Sequence, residues 1–246
     1  MDSDAQRQLF FREFWIMKTI GLVGGTSWVS SSDYYKLINE RVNQRLGGLN
    51  YARCILYSFN FAEFKELNDK QDWATTLKLV TAVCKKLSAA GAECILLCAN
   101  TMHVIADDLR RNIGIPVIHI AEATADAVEK QGLRKVGLLG TKFTMEMDFF
   151  KKKLQARGIE TVIPSDTDRE FVHATIFEEL GKGVFQETTK QRYIGIIEAL
   201  ASQGAKGIIL GCTEIPLLIK QSECSPLLFN TVEIHAEAGV KFALAT

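Results

Sequence analysis

The chain has 246 residues, 47% hydrophobic and 24% charged, with 29 basic side chains balancing 29 acidic ones. This is ordinary globular composition, enough for one large domain or two of roughly 100–150 residues. Without a basic excess it does not read as a nucleic-acid binder, and no apolar run reaches the roughly 18 residues of a transmembrane helix. Six cysteines without a C-x-x-C spacing and four scattered histidines give neither a disulfide framework nor a zinc pattern. Free thiols in a reducing cytoplasm, and no metal, are the expectation.

Residues 1–16 read as an N-terminal extension. The apolar patch Leu9–Ile16 contains Arg12 and Glu13, and no small-residue cleavage site follows. From Met17 onward, apolar runs alternate with amphipathic stretches. "KTIGLVGG" predicts a strand and Ser30–Leu46 a helix. "ARCILYSF" predicts a strand, and Trp73–Ala90 a helix ended by Gly91. "ECILLC" predicts a strand, Met102–Asn112 a helix, and "IPVIHI" a short strand. A helix over "ATADAVEKQG" leads to a strand at "KVGLLG", a helix over Thr144–Arg157 and a strand at "ETVIP". Helices over Glu170–Leu180 and Thr188–Gln203 precede a strand at "KGIILG", and Ala236–Ala245 closes the chain as a helix. The strands are continuous apolar runs, the mark of strands buried on both faces, hence of parallel α/β architecture.

The order repeats. "KTIGLVGGTSW" parallels "RKVGLLGTKFT", with Gly21 and Gly137 separated by 116 residues. "GAECILLCANT" parallels "GAKGIILGCTE", with Cys98 and Cys212 separated by 114. This predicts two pseudo-symmetric α/β domains, 17–118 and 119–230, with the closing helix (231–246) packing back on the first. In open α/β sheets ligands bind off the carboxyl ends of the strands, so a cleft between the domains would receive Cys98 and Cys212 from opposite walls.

Each cysteine is followed by small and polar residues. Ala99–Asn100–Thr101 precede a predicted helix N-terminus, which favours anions and thiolate. Gly211 permits close backbone approach beside Cys212, and Thr213 supplies a hydroxyl. Glu214 reads equally as a capping carboxylate or as a group orienting a substrate ammonium or the thiol. Lys182, in a glycine-flanked loop, is either solvated or reaches a substrate side-chain carboxylate. The loop Gly24–Ser27 lacks G-x-G-x-x-G and is not a P-loop; it reads as a strand-to-helix turn facing the cleft. Two facing thiols suit proton transfer on both faces of one carbon, with the carbanion's carboxylate held by preorganised donors and no cofactor required.

The segments "IGLVGGTSW", "YYKLINERVNQRLGG", "LLCANTMH", "HIAEATADA", "VGLLGTKFTME", "IFEELGKG" and "ILGCTEIPLL" resemble the cofactor-independent aspartate/glutamate racemases, within the Asp/Glu/hydantoin racemase superfamily, over about Met17 to Leu244. The resemblance implies a two-domain fold, a small-molecule amino-acid substrate, aspartate or glutamate first, and a homodimer. It puts Cys98 and Cys212 on the family's two acid/base positions. Asn100, Thr101 and Thr213 fall on its carboxylate-binding positions, with Thr26 in the glycine loop lining the same site. A polar loop over Glu66–Gln71 would cover the cleft, with Asn68 as the side-chain contact there. Thr26 and Val29 depart from the family's M-S-W-E, and Ala99 replaces a commoner Thr. Glu214, where glutamate racemases carry His, argues against the dedicated glutamate racemase branch. Related chemistries stay open: hydantoin racemisation, maleate cis-trans isomerisation, malonate decarboxylation. The two cysteines disfavour the single-cysteine decarboxylases. An inactive two-lobed small-ligand-binding protein is the reading from a different class.

Overall fold

A computed structural model describes residues 17–245; the expected extension at 1–16 lies outside the described residues. Two four-stranded parallel sheets flanked by helices make two α/β domains. In the first half β1 (Ile20–Gly24), β2 (Cys54–Ser58), β3 (Cys94–Leu97) and β4 (Val117–Ile118) order as β2-β1-β3-β4. In the second half β5 (Lys135–Gly140), β6 (Glu160–Val162), β7 (Gly207–Gly211) and β8 (Leu227–Asn230) order as β6-β5-β7-β8. The registers repeat as well: Gly21 stands beside Ile95 in one sheet and Gly137 beside Ile208 in the other.

The helices are α1 (Trp28–Leu46), α2 (Phe61–Asp69), α3 (Trp73–Ala89), α4 (Ala106–Asn112), α5 (Ile120–Lys130), α6 (Lys142–Glu146), α7 (Asp148–Gln155), α8 (Asp166–Glu178), α9 (Glu187–Ser202), α10 (Ile215–Leu218) and α11 (Thr231–Leu244). Side chains alternate across each strand, so each sheet feeds two cores. Ile95 and Leu97 pack with Val80, Val83 and Leu109 on one face. Cys94 and Leu96 pack with Tyr34, Ile38 and Val240 on the other. In the second sheet Ile208 and Leu210 join Tyr193 and Ile197, and Ile209 joins Phe150 and Leu154. The closing helix α11 lies against α1 and α5.

Several elements differ from the sequence expectation. The stretch expected as a polar loop at 66–71 is largely helical. The Asn60 side chain caps α2 by accepting from the Ala62 N–H at 3.3 Å, and buried Phe64 anchors that helix. The helix expected over Thr144–Arg157 breaks at Met147, whose extended backbone (φ −72°, ψ 157°) separates α6 from α7. Strand β8 was not expected; it is a four-residue edge strand in a turn-rich stretch, too short to stand out by pattern. The closing helix begins at Thr231, five residues early, because Asn230 caps it by accepting from Val232 N–H at 3.1 Å.

Candidate active site

A cavity of about 410 Å³ opens between the carboxyl ends of the two sheets. Its walls come from the β1–α1 turn, α2, the residues after β3, Thr141 after β5, α8 and the residues after β7. At the first turn Gly25 takes φ +89°. A Cβ there would fall 2.1 Å from the Phe59 carbonyl oxygen, so only glycine lets the loop pass so close. Ser27 caps α1, its hydroxyl accepting from the Ser30 N–H at 3.3 Å, and α1 presents its N-terminus to the cleft.

The charged part of the cavity is compact. Cys212 continues the face of β7 that carries Ile208 and Leu210, and it lines the cavity. Its Sγ donates to Glu214 Oε2 at 3.0 Å. The Thr213 hydroxyl donates to the same oxygen at 2.5 Å, and the Ser27 hydroxyl, from the other half, donates to Glu214 Oε1 at 3.1 Å. Burial first, and then the neighbouring Glu214 carboxylate, push the Cys212 thiol well above its ordinary pKa. The resting group is a thiol hydrogen-bonded to a carboxylate.

The floor is hydroxyl-rich and joins the halves. Thr101 Oγ1 and Thr141 Oγ1 are 3.1 Å apart. Asn100 Nδ2 donates to Thr231 Oγ1 at 3.1 Å, which donates to the Leu210 carbonyl at 2.9 Å. Two lining polar atoms, Thr26 Oγ1 and Asn100 Oδ1, are buried without a hydrogen-bond partner. An unsatisfied buried polar atom costs about 1–3 kcal/mol, and a bound polar ligand is one way to recover it. Among the described residues no cluster of three potential metal ligands occurs, and no helix is long and apolar enough to cross a membrane.

This arrangement has close counterparts. The Asp/Glu/Hydantoin racemase model matches residues 23–239. The chain belongs to the Asp/Glu/hydantoin racemase family. The crystal structure of a Yersinia pestis protein put forward as an Asp/Glu racemase is 46% identical, with a TM-score of 0.88 over 93% of this chain and 100% of that one. An aspartate racemase homologue from Pyrococcus horikoshii OT3 is 39% identical, with a TM-score of 0.81 over 92% and 99%. A broad specificity amino-acid racemase from Bacillus subtilis (strain 168) is 24% identical over 92% of this chain and 98% of its own.

Against the family's expected pair of thiols, the two strand ends are unequal. Cys98 does not line the cavity; Ala99 does. Cys98 continues the face of Cys94 and Leu96, the one packed under α1 and α11. Its Sγ donates weakly to the Leu96 carbonyl at 3.9 Å, and burial pushes its pKa far up. Period-two alternation sends it away from the cleft and Ala99 into it. The sequence carried this signal. Aligning Gly91 with Gly204 without a gap pairs Cys98 with Gly211 and Ala99 with Cys212.

Of the other expected site residues, Thr26, Asn68, Asn100, Thr101, Thr213 and Glu214 all border the cavity. Lys182 does not. It is exposed at the end of the 3₁₀ turn Leu180–Lys182, and only its neighbour Gly181 reaches the lining. Lining residues that the sequence did not single out include Thr141, Phe59, Phe61, Ile176 and Phe177, while Ser27, expected in the loop facing the cleft, adds a side-chain contact with Glu214. Ser27 was recoverable as a helix N-cap. Phe177 and Ile176, inside a helical stretch, look like ordinary core.

Proposed function

We propose that the protein is a cofactor-independent amino-acid racemase in which Cys212 is the single thiol working at the substrate Cα. The observation that carries this is the Cys212–Glu214 contact at 3.0 Å inside an otherwise neutral cleft. The substrate α-ammonium pairs with Glu214. The α-carboxylate goes to the hydroxyl of Thr101 and to backbone N–H groups at the start of α1, with Thr26, Asn68, Asn100 and Thr213 bordering it. Cys212 passes its proton to Glu214, and the thiolate removes the Cα proton. The negative charge moves into the carboxylate, where fixed donors stabilise it. Reprotonation from the opposite face, where Ala99 leaves room for a water to deliver the proton, inverts the centre; the hydroxide left by that water takes the proton held on Glu214, and the Cα proton now on sulfur restores the Cys212 thiol. A two-thiol mechanism with Cys98 would require the β3 end to turn over.

The single thiol also suits one-face protonation of the carbanion left by malonate decarboxylation. Glu214, the only charged lining residue among the described residues, opposes a dianionic substrate, so the racemase reading stands ahead. The six free cysteines support a reducing, cytoplasmic setting for a role in amino acid metabolism. Exposed Tyr35, Leu49, Tyr51 and Leu56, on α1, the loop after it and the edge strand β2, support a homodimer, to be checked by molar mass in solution.

The test is Cα proton exchange followed by NMR in D2O, with single enantiomers of a set of amino acids and malonate, and no added cofactor. Loss of the Cα signal with appearance of the opposite enantiomer is expected. Carbon dioxide release from malonate without any amino-acid exchange would replace the racemase with the decarboxylase.

A further inference from the structure

The charge inventory of the cleft bears on the substrate side chain. Among the described residues lining the cavity there is one carboxylate, Glu214, and no lysine or arginine. Lys182 is exposed and outside the lining. Lys142, next to the lining Thr141, is engaged by Glu170. A zwitterionic amino acid neutralises Glu214 with its ammonium and spreads its carboxylate over neutral donors. A substrate with a side-chain carboxylate brings a further anion to a site with no cation to receive it, and an unpaired charge taken out of water is strongly disfavoured.

The rest of the wall is apolar. Phe59 and Phe64 pack with ring centroids 4.5 Å apart, and Phe61 sits beside them at the N-terminus of α2. Ile176 and Phe177 approach from α8 across the cleft, and Trp28 lies at the rim, 74% exposed. A space of about 410 Å³ is at the small end of ligand pockets. That suits one amino acid with its side chain laid between the phenylalanines and α8.

We propose that the substrate is a neutral amino acid with an apolar or aromatic side chain, held with that side chain between Phe59, Phe61 and Phe177 and its ammonium on Glu214. This rests on the amino-acid racemase reading above, and the experiment separates the two. Cα exchange is measured for the enantiomers of leucine, methionine and phenylalanine against those of aspartate, glutamate and lysine, and calorimetry measures the binding of each independently of turnover. The expected result is exchange at least tenfold faster in kcat/KM for the apolar set, with matching affinities. Fastest exchange with aspartate or glutamate overturns the side-chain assignment and leaves the racemase intact. If nothing exchanges but leucine binds at least tenfold more tightly than aspartate, the racemase fails and the apolar site stands. If aspartate binds better, or no amino acid binds, the assignment is overturned. Phe61→Lys, a substitution at the partly open rim, adds the missing cation. It should raise glutamate relative to leucine at least tenfold, and an unchanged ratio would count against the proposal.

Discussion

The ends of β3 and β7 are equivalent in fold and opposite in chemistry. Both follow the third segment of a parallel sheet, both lead through a hydroxyl residue into a turn, and both border the same cavity. At β7 the side chain entering the cavity is a thiol joined to a carboxylate. At β3 it is the methyl of Ala99, and the nearby thiol faces the core. One position of strand phase decides which cysteine can meet a substrate. A cysteine near a strand end says little until its face is known.

The largest effect should come from the working side. Cys212→Ala removes the proposed acid/base and should lower kcat for Cα exchange by about 10²–10⁴-fold. An exchange rate within threefold of the parent would end the single-thiol mechanism. The substitution Ala99→Cys breaks the asymmetry from the other side. In the parent, exchange without inversion should outrun inversion for the enantiomer whose Cα hydrogen faces Cys212. A thiol at position 99 should bring the two rates together and raise inversion by about tenfold or more, less than the roughly 10²-fold or more of a fully positioned acid/base. Inversion that stays slow would show that a factor other than the missing thiol limits the second face.

The repeat, the parallel sheets, the cleft position and Cys212 were legible in the sequence. They rest on long apolar runs, matching spacings and a cysteine followed by polar residues, all of which local pattern carries. The phase of Cys98 was legible too, but only from the gapless alignment of Gly91 with Gly204, because β3, four residues long, is too short to show its own alternation. Two things were not. The contact of Ser27 with Glu214 joins residues 187 apart in the chain, and no local pattern carries such a pairing. The cap and single buried anchor of α2 were outweighed by its charged residues Glu63, Lys65, Glu66 and Asp69.

A second contrast concerns what stands behind each strand end. Beneath β3, His103 packs with its ring centroid 4.9 Å from that of His119 and 5.3 Å from that of His235. His235 Nδ1 meets the Tyr34 hydroxyl at 2.7 Å and its Nε2 meets the Ile118 carbonyl at 2.7 Å. Burial pulls His119 and His235 down to a pKa of about 3, and burial together with the neighbouring His119 holds His103 well below its usual value. The unfolded chain titrates these rings near pH 6.5. It therefore binds more protons than the folded chain between about pH 6.5 and 3, and stability falls as pH drops through that window. Denaturant midpoints at pH 7.5 and 5 should show a clear loss at the lower value, and His235→Gln should reduce that loss. A midpoint independent of pH would mean that the cluster opens to water.

The smallest effect expected on activity is that of Cys98→Ala. Removing this thiol deletes one buried sulfur from the core between β3, α1 and α11, a change that costs about 1–2 kcal/mol by analogy with small core truncations. The thiol faces the core and Cys98 is not part of the cavity lining, so exchange should stay within about twofold. Cys98→Ser should be worse for stability and equally neutral for turnover, because its hydroxyl must find a partner among apolar neighbours. The pair isolates the claim that matters. If both variants fold and either loses exchange by a hundredfold, the β3 end must turn over to bring Cys98 to the substrate, and the two ends would then be equivalent in chemistry as well as in fold.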